Sequence, residues 1–206
     1  VQGELLELLF EIQIKENGLL IDKRRNLTTE QKKELIEISH KILEVSHNPE
    51  KYGLNIRGRN ADVAGFEVDD RGDIEFKRLF EAKSGKFLGR RALKQLSING
   101  FRSAMSTTVN TINKLEDAEQ RGLNGLGVNG RKLKIAEGGI KQTLCLCRDL
   151  APNHPDPKEN SQRINNLIGK ELSVEEKKEL RKILNEIDFL ESPFSHEELR
   201  NMAIEL

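Results

Sequence analysis

Apolar residues recur with a helical period in two stretches near the start of the chain. In residues 4–15 leucines and isoleucines fall on one stripe, and residues 29–46 repeat this spacing. Asn17-Gly18 follows the first stretch, and a threonine can cap the second. Apolar positions three and four residues apart predict one amphipathic helix in each stretch.

The pattern then changes to short runs rich in β-branched and aromatic residues. The runs NADVAGFEV and IEFKRLFEAK are separated by DDRGD, and Asp and Gly in such a place are typical of a turn. We therefore predict a β-hairpin between residues 60 and 84. Residues 89–120 are predicted to be mostly helical with an interruption at Gly100, and residues 131–150 to form one or two strands around Gly138-Gly139.

The end of the chain is predicted to be helical. A polar, proline-containing break, APNHPDP, precedes a helix predicted over residues 173–191, with Ser173 as its cap, and a short helix after Ser195. The element order predicts an α/β fold. We expect a core over residues 1–150, with residues 151–206 as a linker and a helical C-terminal appendage.

Composition is typical of a water-soluble domain. The 206 residues are 36% hydrophobic and 33% charged, and no apolar run approaches the roughly 20 residues of a membrane span. We expect no membrane partner and no signal peptide. The chain begins with Val, which fits a processed chain or a segment of a larger protein. Cys145 and Cys147 are interpreted as buried thiols, because no second cysteine pair completes a zinc site.

Charge is unevenly distributed although the net charge is zero. Residues 77–102 contain eight Lys or Arg and one acid, which gives +7. Residues 171–206 contain ten acids and five bases, which gives −5. A concentrated basic segment can bind a polyanion even in a neutral protein, although a solvated helix face is the plainer interpretation of any one charge run.

The segment LFEAKSGK, residues 79–86, carries the candidate chemistry. On a strand alternate residues share a face, so Glu81 and Lys83 project together, with Ala82 on the opposite side. Asp62 stands at the start of the partner strand. Two carboxylates at one end of a sheet suit Mg²⁺, and a neighbouring lysine can hold or activate the attacking water. The alternative is an ion pair exposed on the surface.

Asp62 followed by Glu81-Ala82-Lys83, on a hairpin between helices, resembles the PD-(D/E)xK nuclease superfamily. The resemblance covers about residues 1–150 and implies a restriction-endonuclease-like fold, a mixed central sheet flanked by helices. It assigns Asp62 and Glu81 to the metal and Lys83 to water activation. Ala61 stands where the family name has proline, a position that varies in the family.

Two auxiliary residues also resemble subgroups of the family. A glutamate of the first helix, Glu4 or Glu7, would join the metal shell, and Glu7 is the one we choose. Gln95, on the helix after the motif, would orient the site. The implied cofactor is Mg²⁺ or Mn²⁺. The basic residues beside the motif would contact substrate phosphates: Lys86, Arg90, Arg91 and Lys94.

Three functions fit these patterns. The first is a metal-dependent endonuclease, a hydrolase acting on DNA in preference to RNA, with a homodimer as one way to cut both strands. The second is a toxin-type nuclease from a larger secreted bacterial protein, acting in the cytoplasm on tRNA or DNA and paired with an immunity protein. The third is a non-catalytic nucleic-acid-binding module. The acidic C-terminal helices would be a partner interface or an internal cover for the basic segment.

Overall fold

The chain folds into two compact units. A computed structural model describes residues 3, 5, 8, 9, 28–31, 33, 34, 37, 41, 44, 45, 48–56, 58, 61–68, 73–120, 133–136 and 138–205. The first unit comprises residues 1–11, 81–101 and 142–206. The second comprises residues 12–80 and 102–141.

Five strands occur within the described ranges: β1 (Val63–Val68), β2 (Ile74–Lys83), β3 (Leu133–Ile135), β4 (Lys141–Leu146) and β5 (Asp188–Glu191). They form one mixed sheet with the order β1-β2-β4-β5, and β3 pairs with β2. The helices are α1 (Arg90–Leu96), α2 (Ile98–Gln120), α3 (Pro157–Leu167), α4 (Val174–Glu186), α5 (His196–Glu205) and a 3₁₀ turn at Pro49–Tyr52. The predicted α/β class is confirmed.

Both early helices were predicted over stretches that lie largely outside the described residues. The residues that are described between 3 and 9, and between 29 and 45, are helical. No helix among the described residues is long and apolar enough to cross a membrane.

The predicted hairpin is present, and its residues up to Phe80 belong to the second unit. β1 runs antiparallel to β2, with Val63 opposite Phe80, Val68 opposite Ile74, and an irregularity after Gly65. The Phe66 and Phe76 rings pack with their centroids 5.5 Å apart. Burial alternates over the first residues of β2 and then becomes continuous from Leu79 to Ala82. Of the predicted turn, residues 69–73, all but Asp73 lie outside the described residues.

The first unit is built around one apolar cluster. Its members come from α1, α3, α4, β4 and the connections between them: Leu88, Ala92, Leu93, Leu96, Leu144, Leu146, Ala151, Ile164, Leu167, Ile168, Leu172, Leu180 and Leu184. α4 packs against both α1 and α3. β5 pairs in parallel with β4, Thr143 opposite Asp188. Residues after 150 therefore contribute half of this core and one strand of the sheet.

In the C-terminal segment one prediction was wrong and one helix was missed. The helix predicted over residues 173–191 ends at Glu186, and residues 188–191 are extended and form β5. α3 was not predicted, although Asp156 caps it by accepting from the Lys158 amide and Pro157 stands in its first turn. The capping role predicted for Ser173 is confirmed, because its side chain accepts from the Glu176 amide and Glu176 bonds back to the Ser173 amide. The boundary at residue 150 stays a prediction.

The break in the long helical stretch lies at Ser97 and not at Gly100. The Ser97 amide closes α1 by donating to the Leu93 carbonyl, and its hydroxyl accepts from the Gly100 amide at the start of α2. A Cβ at Gly100 would overlap the carbonyl oxygens of Lys94 and Gln95. Gly100 is therefore needed for the close approach of α2 to the end of α1.

We expect Gly100→Ala to destabilise the protein by about 1–3 kcal/mol, because the added methyl meets backbone that must move. The sign of the change in unfolding free energy is diagnostic, because replacing Gly by Ala inside an unobstructed helix stabilises a protein by about 0.5–1 kcal/mol. Urea unfolding measures the change. Asn99→Ala, at an exposed neighbouring position, is the control. A Gly100→Ala variant at least as stable as the wild type would refute this role for the glycine.

Candidate active site

Glu81 and Lys83 lie on the same side of β2 at its C-terminal end. Lys83 Nζ is 3.6 Å from Glu81 Oε2, and it donates a hydrogen bond to the Ala82 carbonyl oxygen at 3.0 Å. The Glu81 side chain is only 2% exposed, whereas that of Lys83 is 21% exposed. Strand periodicity explains the shared side, and the end of β2 at Lys83 gives the ammonium its access to solvent.

Burial separates this pair from an ordinary surface ion pair. A carboxylate removed from water loses its hydration, and the attraction to one partner often fails to offset that loss. Apolar residues of similar size would then serve stability equally well or better. A buried carboxylate beside a lysine at the end of a strand is therefore a candidate functional site.

Asp62 belongs to the second unit. It lies directly before β1, its side chain is half-buried, and its backbone amide donates to the Phe80 carbonyl oxygen at 3.2 Å. Glu81 belongs to the first unit. The role of Asp62 as the second carboxylate stays a prediction, as does that of Glu7, which lies outside the described residues.

Gln95, also in the first unit, has a side-chain oxygen that is buried. It lies on α1, between the buried residues Leu93 and Leu96. Its Oε1 atom is buried and accepts no hydrogen bond within the part of the chain that the structure describes. A buried amide oxygen without a donor is costly, so a water, a metal ion or a donor from a bound molecule would satisfy it.

Oxygen ligands of this kind fit Mg²⁺ or Mn²⁺. The described residues contain no group of three or more His, Cys, Asp or Glu that could hold a metal. Mg²⁺ does not need such a group, because it commonly binds through one or two carboxylates, several waters and a substrate phosphate. A buried carboxylate at Glu81 and a buried amide oxygen at Gln95 are donors of the correct hardness for it.

The four predicted nucleic-acid contacts all lie on the surface. Lys86, Arg91 and Lys94 are exposed and form no ion pair with any described residue. Arg90 differs, because its Nε lies 3.1 Å from Glu176 Oε1 on α4. Lys86 lies in the connection before α1, and the other three residues lie on α1 itself.

Acidic residues of the C-terminal segment approach the start of α1. Besides the Arg90–Glu176 pair, a Cβ at Gly89, the residue before α1, would overlap a Glu171 carboxylate oxygen. Hydrogen bonding from the Ser173 amide, and then the Arg90 guanidinium, hold the pKa of Glu176 below its usual range. One cation of the basic segment, Arg90, is therefore paired with the acidic C-terminal segment.

Both cysteines are buried, as predicted. Burial, followed by the nearby Asp149 carboxylate, raises the pKa of the Cys147 thiol to about 11. The thiol is therefore neutral at physiological pH, which disfavours nucleophilic or metal-binding roles.

Sequence reasoning missed two residues of this region. The acceptor of Arg90, Glu176, is 86 positions away, although the Ser173-x-x-Glu176 capping signal locates it at a helix start. Phe87 is exposed within the basic segment. Its position directly after Lys86 was the sequence signal that could have indicated an aromatic side chain on the surface.

Comparison with protein-family models, with curated proteins and with solved structures finds no match.

Proposed function

We propose that this protein is a metal-dependent nuclease that hydrolyses phosphodiester bonds, with DNA as the default substrate, on a restriction-endonuclease-like fold. The observation that carries the proposal is the buried Glu81 carboxylate beside Lys83 at the end of β2. The basic residues that follow it in the sequence support a polyanionic substrate. The mixed sheet, with helices between and after its strands along the chain, is compatible with this fold at the level of class.

Glu81 and the Gln95 amide oxygen would hold the metal ion. When bound, Mg²⁺ or Mn²⁺ lowers the pKa of water and neutralises charge on a phosphate oxygen. A buried carboxylate suits this task, because the ion's charge replaces the hydration that Glu81 has lost.

Lys83 would act on the phosphate and the water. An ammonium carries three N–H donors. One bonds to the Ala82 carbonyl and a second points toward the Glu81 carboxylate at 3.6 Å, which leaves a donor for a water or a phosphate oxygen. A fixed positive charge at this point favours the transition state, in which negative charge accumulates on the phosphate oxygens.

The reaction is a hydrolysis without redox change. The water oxygen forms a bond to phosphorus, the ester P–O bond on the opposite side breaks, and the proton lost by water is balanced by one gained by the leaving oxygen. The products are a phosphate monoester and a hydroxyl. Lys83 holds and orients the attacking water, and the exposed cations at Lys86 and Arg91 position the backbone.

The experiment that tests the proposal uses three labelled substrates, plasmid DNA, single-stranded DNA and total tRNA, with Mg²⁺, Mn²⁺ or EDTA. Cleavage that requires metal and stops in EDTA is expected for at least one substrate. Preferential cutting of tRNA, together with growth arrest on expression, would favour the toxin-type nuclease. Binding that is sensitive to salt without cleavage under any metal would overturn the proposal and favour the binding module.

We expect Glu176→Gln to strengthen DNA binding about 1.5- to 5-fold at low salt, because it releases Arg90 from an exposed ion pair. Gln still supports the capping box at Ser173, so α4 remains capped. Fluorescence anisotropy in EDTA measures the affinity. The slope of log affinity against log salt concentration should steepen by the amount expected for about one additional phosphate contact.

Glu179→Gln is the matched control for this prediction. It makes the same change of charge on the exposed side of α4, but Glu179 forms no ion pair with a described residue. If both variants strengthen binding equally, net charge accounts for the effect and the specific cover of Arg90 is refuted.

A further inference from the structure

We propose that Phe87 stacks on an unpaired base of the substrate, which would make single-stranded or locally unpaired nucleic acid the preferred substrate class. This inference rests on the proposed nuclease function. It is carried by three properties of Phe87: its exposure, the fixed backbone beside it and the cations around it.

Phe87 is unlike the other phenylalanines. The sequence has eight, of which Phe10 lies outside the described residues. Among the others only Phe87 is exposed, with 57% of its surface open to solvent, whereas Phe66 and Phe76 are fully buried. The chain has no Trp and one Tyr, so aromatic side chains are scarce. Phe87 is the exposed phenylalanine among the described residues of the first unit.

The backbone beside the ring is held in place. Leu88 is 1% exposed and belongs to the core cluster. Its amide donates to the Leu167 carbonyl at 2.7 Å, and its carbonyl accepts from the Gly169 amide at 3.1 Å. Leu88 thus forms a short parallel bridge with Ile168. The backbone that carries the exposed ring is therefore anchored at the next residue, which lowers the backbone entropy lost on binding.

The surroundings of Phe87 suit a nucleic acid better than an apolar protein surface. Lys86 precedes it and Arg91 follows shortly after, both exposed and in no ion pair with a described residue. An exposed aromatic ring with exposed cations close to it in the sequence supplies the two components of single-strand binding sites, a stacking surface and positive charge. An apolar protein partner would have to bury those cations without compensation, which is unfavourable.

The ring also lies close to the candidate active site. Phe87 follows Lys83 by four residues, and a chain spans at most about 3.3–3.6 Å per residue, so their Cα atoms lie within about 14 Å. That distance corresponds to about four nucleotides at the 3.4 Å spacing of stacked bases. A base stacked on Phe87 would therefore belong to the same short stretch as the phosphate that is cut.

Stacking on Phe87 discriminates against a duplex. In paired DNA both faces of each base are covered by neighbouring bases, and uncovering one requires unstacking that costs a few kcal/mol. A single strand offers its base faces at little cost. We therefore expect the wild type to bind and cut a single strand more readily than a duplex of the same sequence.

The test measures binding by fluorescence anisotropy in EDTA, so that nothing is cleaved. The probes are a short labelled oligothymidylate and a short labelled duplex. Phe87→Ala is expected to weaken single-strand binding about 5- to 140-fold, the equivalent of 1–3 kcal/mol for one stacked base. Duplex binding and the salt dependence of both should change little, because the cations remain. Phe87→Tyr should retain single-strand binding, since it keeps the ring.

Val174→Ala removes another exposed apolar side chain of the first unit and is the control. The inference is overturned if Phe87→Ala binds the single strand as tightly as the wild type, or loses single strand and duplex equally. These failures leave the nuclease proposal standing if metal-dependent cleavage is still observed. A wild type that neither binds nor cuts nucleic acid overturns both proposals.

Discussion

Glu81→Gln is expected to reduce the rate of metal-dependent cleavage at least about 10²- to 10³-fold, the loss typical when one group that stabilises the transition state is removed. Gln has almost the shape of Glu but no charge, so the proposed metal site would lose its negative charge without the creation of a cavity. Single-turnover cleavage of the best substrate measures the rate, so that product release does not obscure the chemical step.

Stability should move in the opposite direction from activity in this variant. The Glu81 side chain is 2% exposed, and replacing a buried charge by a neutral group removes its desolvation penalty. Lys83 remains 21% exposed and can be hydrated. We expect thermal stability equal to or above that of the wild type. Glu186→Gln, at an exposed position on α4, is the control and should leave both properties unchanged. Cleavage within twofold of the wild type would remove Glu81 from the active site.

A chain that ends at residue 150 is expected to lose the first unit altogether. Six buried Leu or Ile side chains between residues 164 and 184 belong to the core cluster that α1 and β4 share. Burial of each contributes about 1.5–3 kcal/mol, and a whole domain is stable by only about 5–15 kcal/mol. Truncation would also expose the edge of β4 that pairs with β5.

Circular dichroism and urea unfolding of residues 1–150 measure this loss. We expect aggregation, or no cooperative transition, together with loss of the helical signal of α1. The single substitution Leu180→Ala should destabilise the full chain by about 2–5 kcal/mol, whereas Lys182→Ala, exposed on the same helix, should have little effect. A chain of residues 1–150 that unfolds cooperatively would establish the predicted core and appendage as separate units.

The hairpin and the shared side of Glu81 and Lys83 could be predicted from sequence, because they depend on local patterns. Ile74 and Phe76 alternate with polar residues, and the two-residue period of a strand places Glu81 and Lys83 together. The α/β class followed from the order of such elements. In each case the information lies within a few residues of the feature that it predicts.

The features that were missed depend on distant contacts or on weak periodicity. In α3 only Ile164 and Leu167 are buried, so its apolar stripe is too narrow to stand out from its polar residues. β5 has two apolar residues in four and exists by pairing with β4. The pairing of Arg90 with a glutamate on α4 joins residues whose separation no local pattern encodes.

Binding of Mn²⁺, measured by electron paramagnetic resonance in the presence of a short single-stranded oligonucleotide, tests most directly whether the end of β2 is a metal site. The wild type should bind Mn²⁺. Glu81→Gln should bind it at least about tenfold more weakly, since even the loss of a residue that only supports a metal ligand weakens affinity by about that factor. Glu186→Gln should match the wild type. Equal Mn²⁺ binding by the wild type and Glu81→Gln would contradict the assignment of Glu81 as a metal ligand and the hydrolytic mechanism built on it.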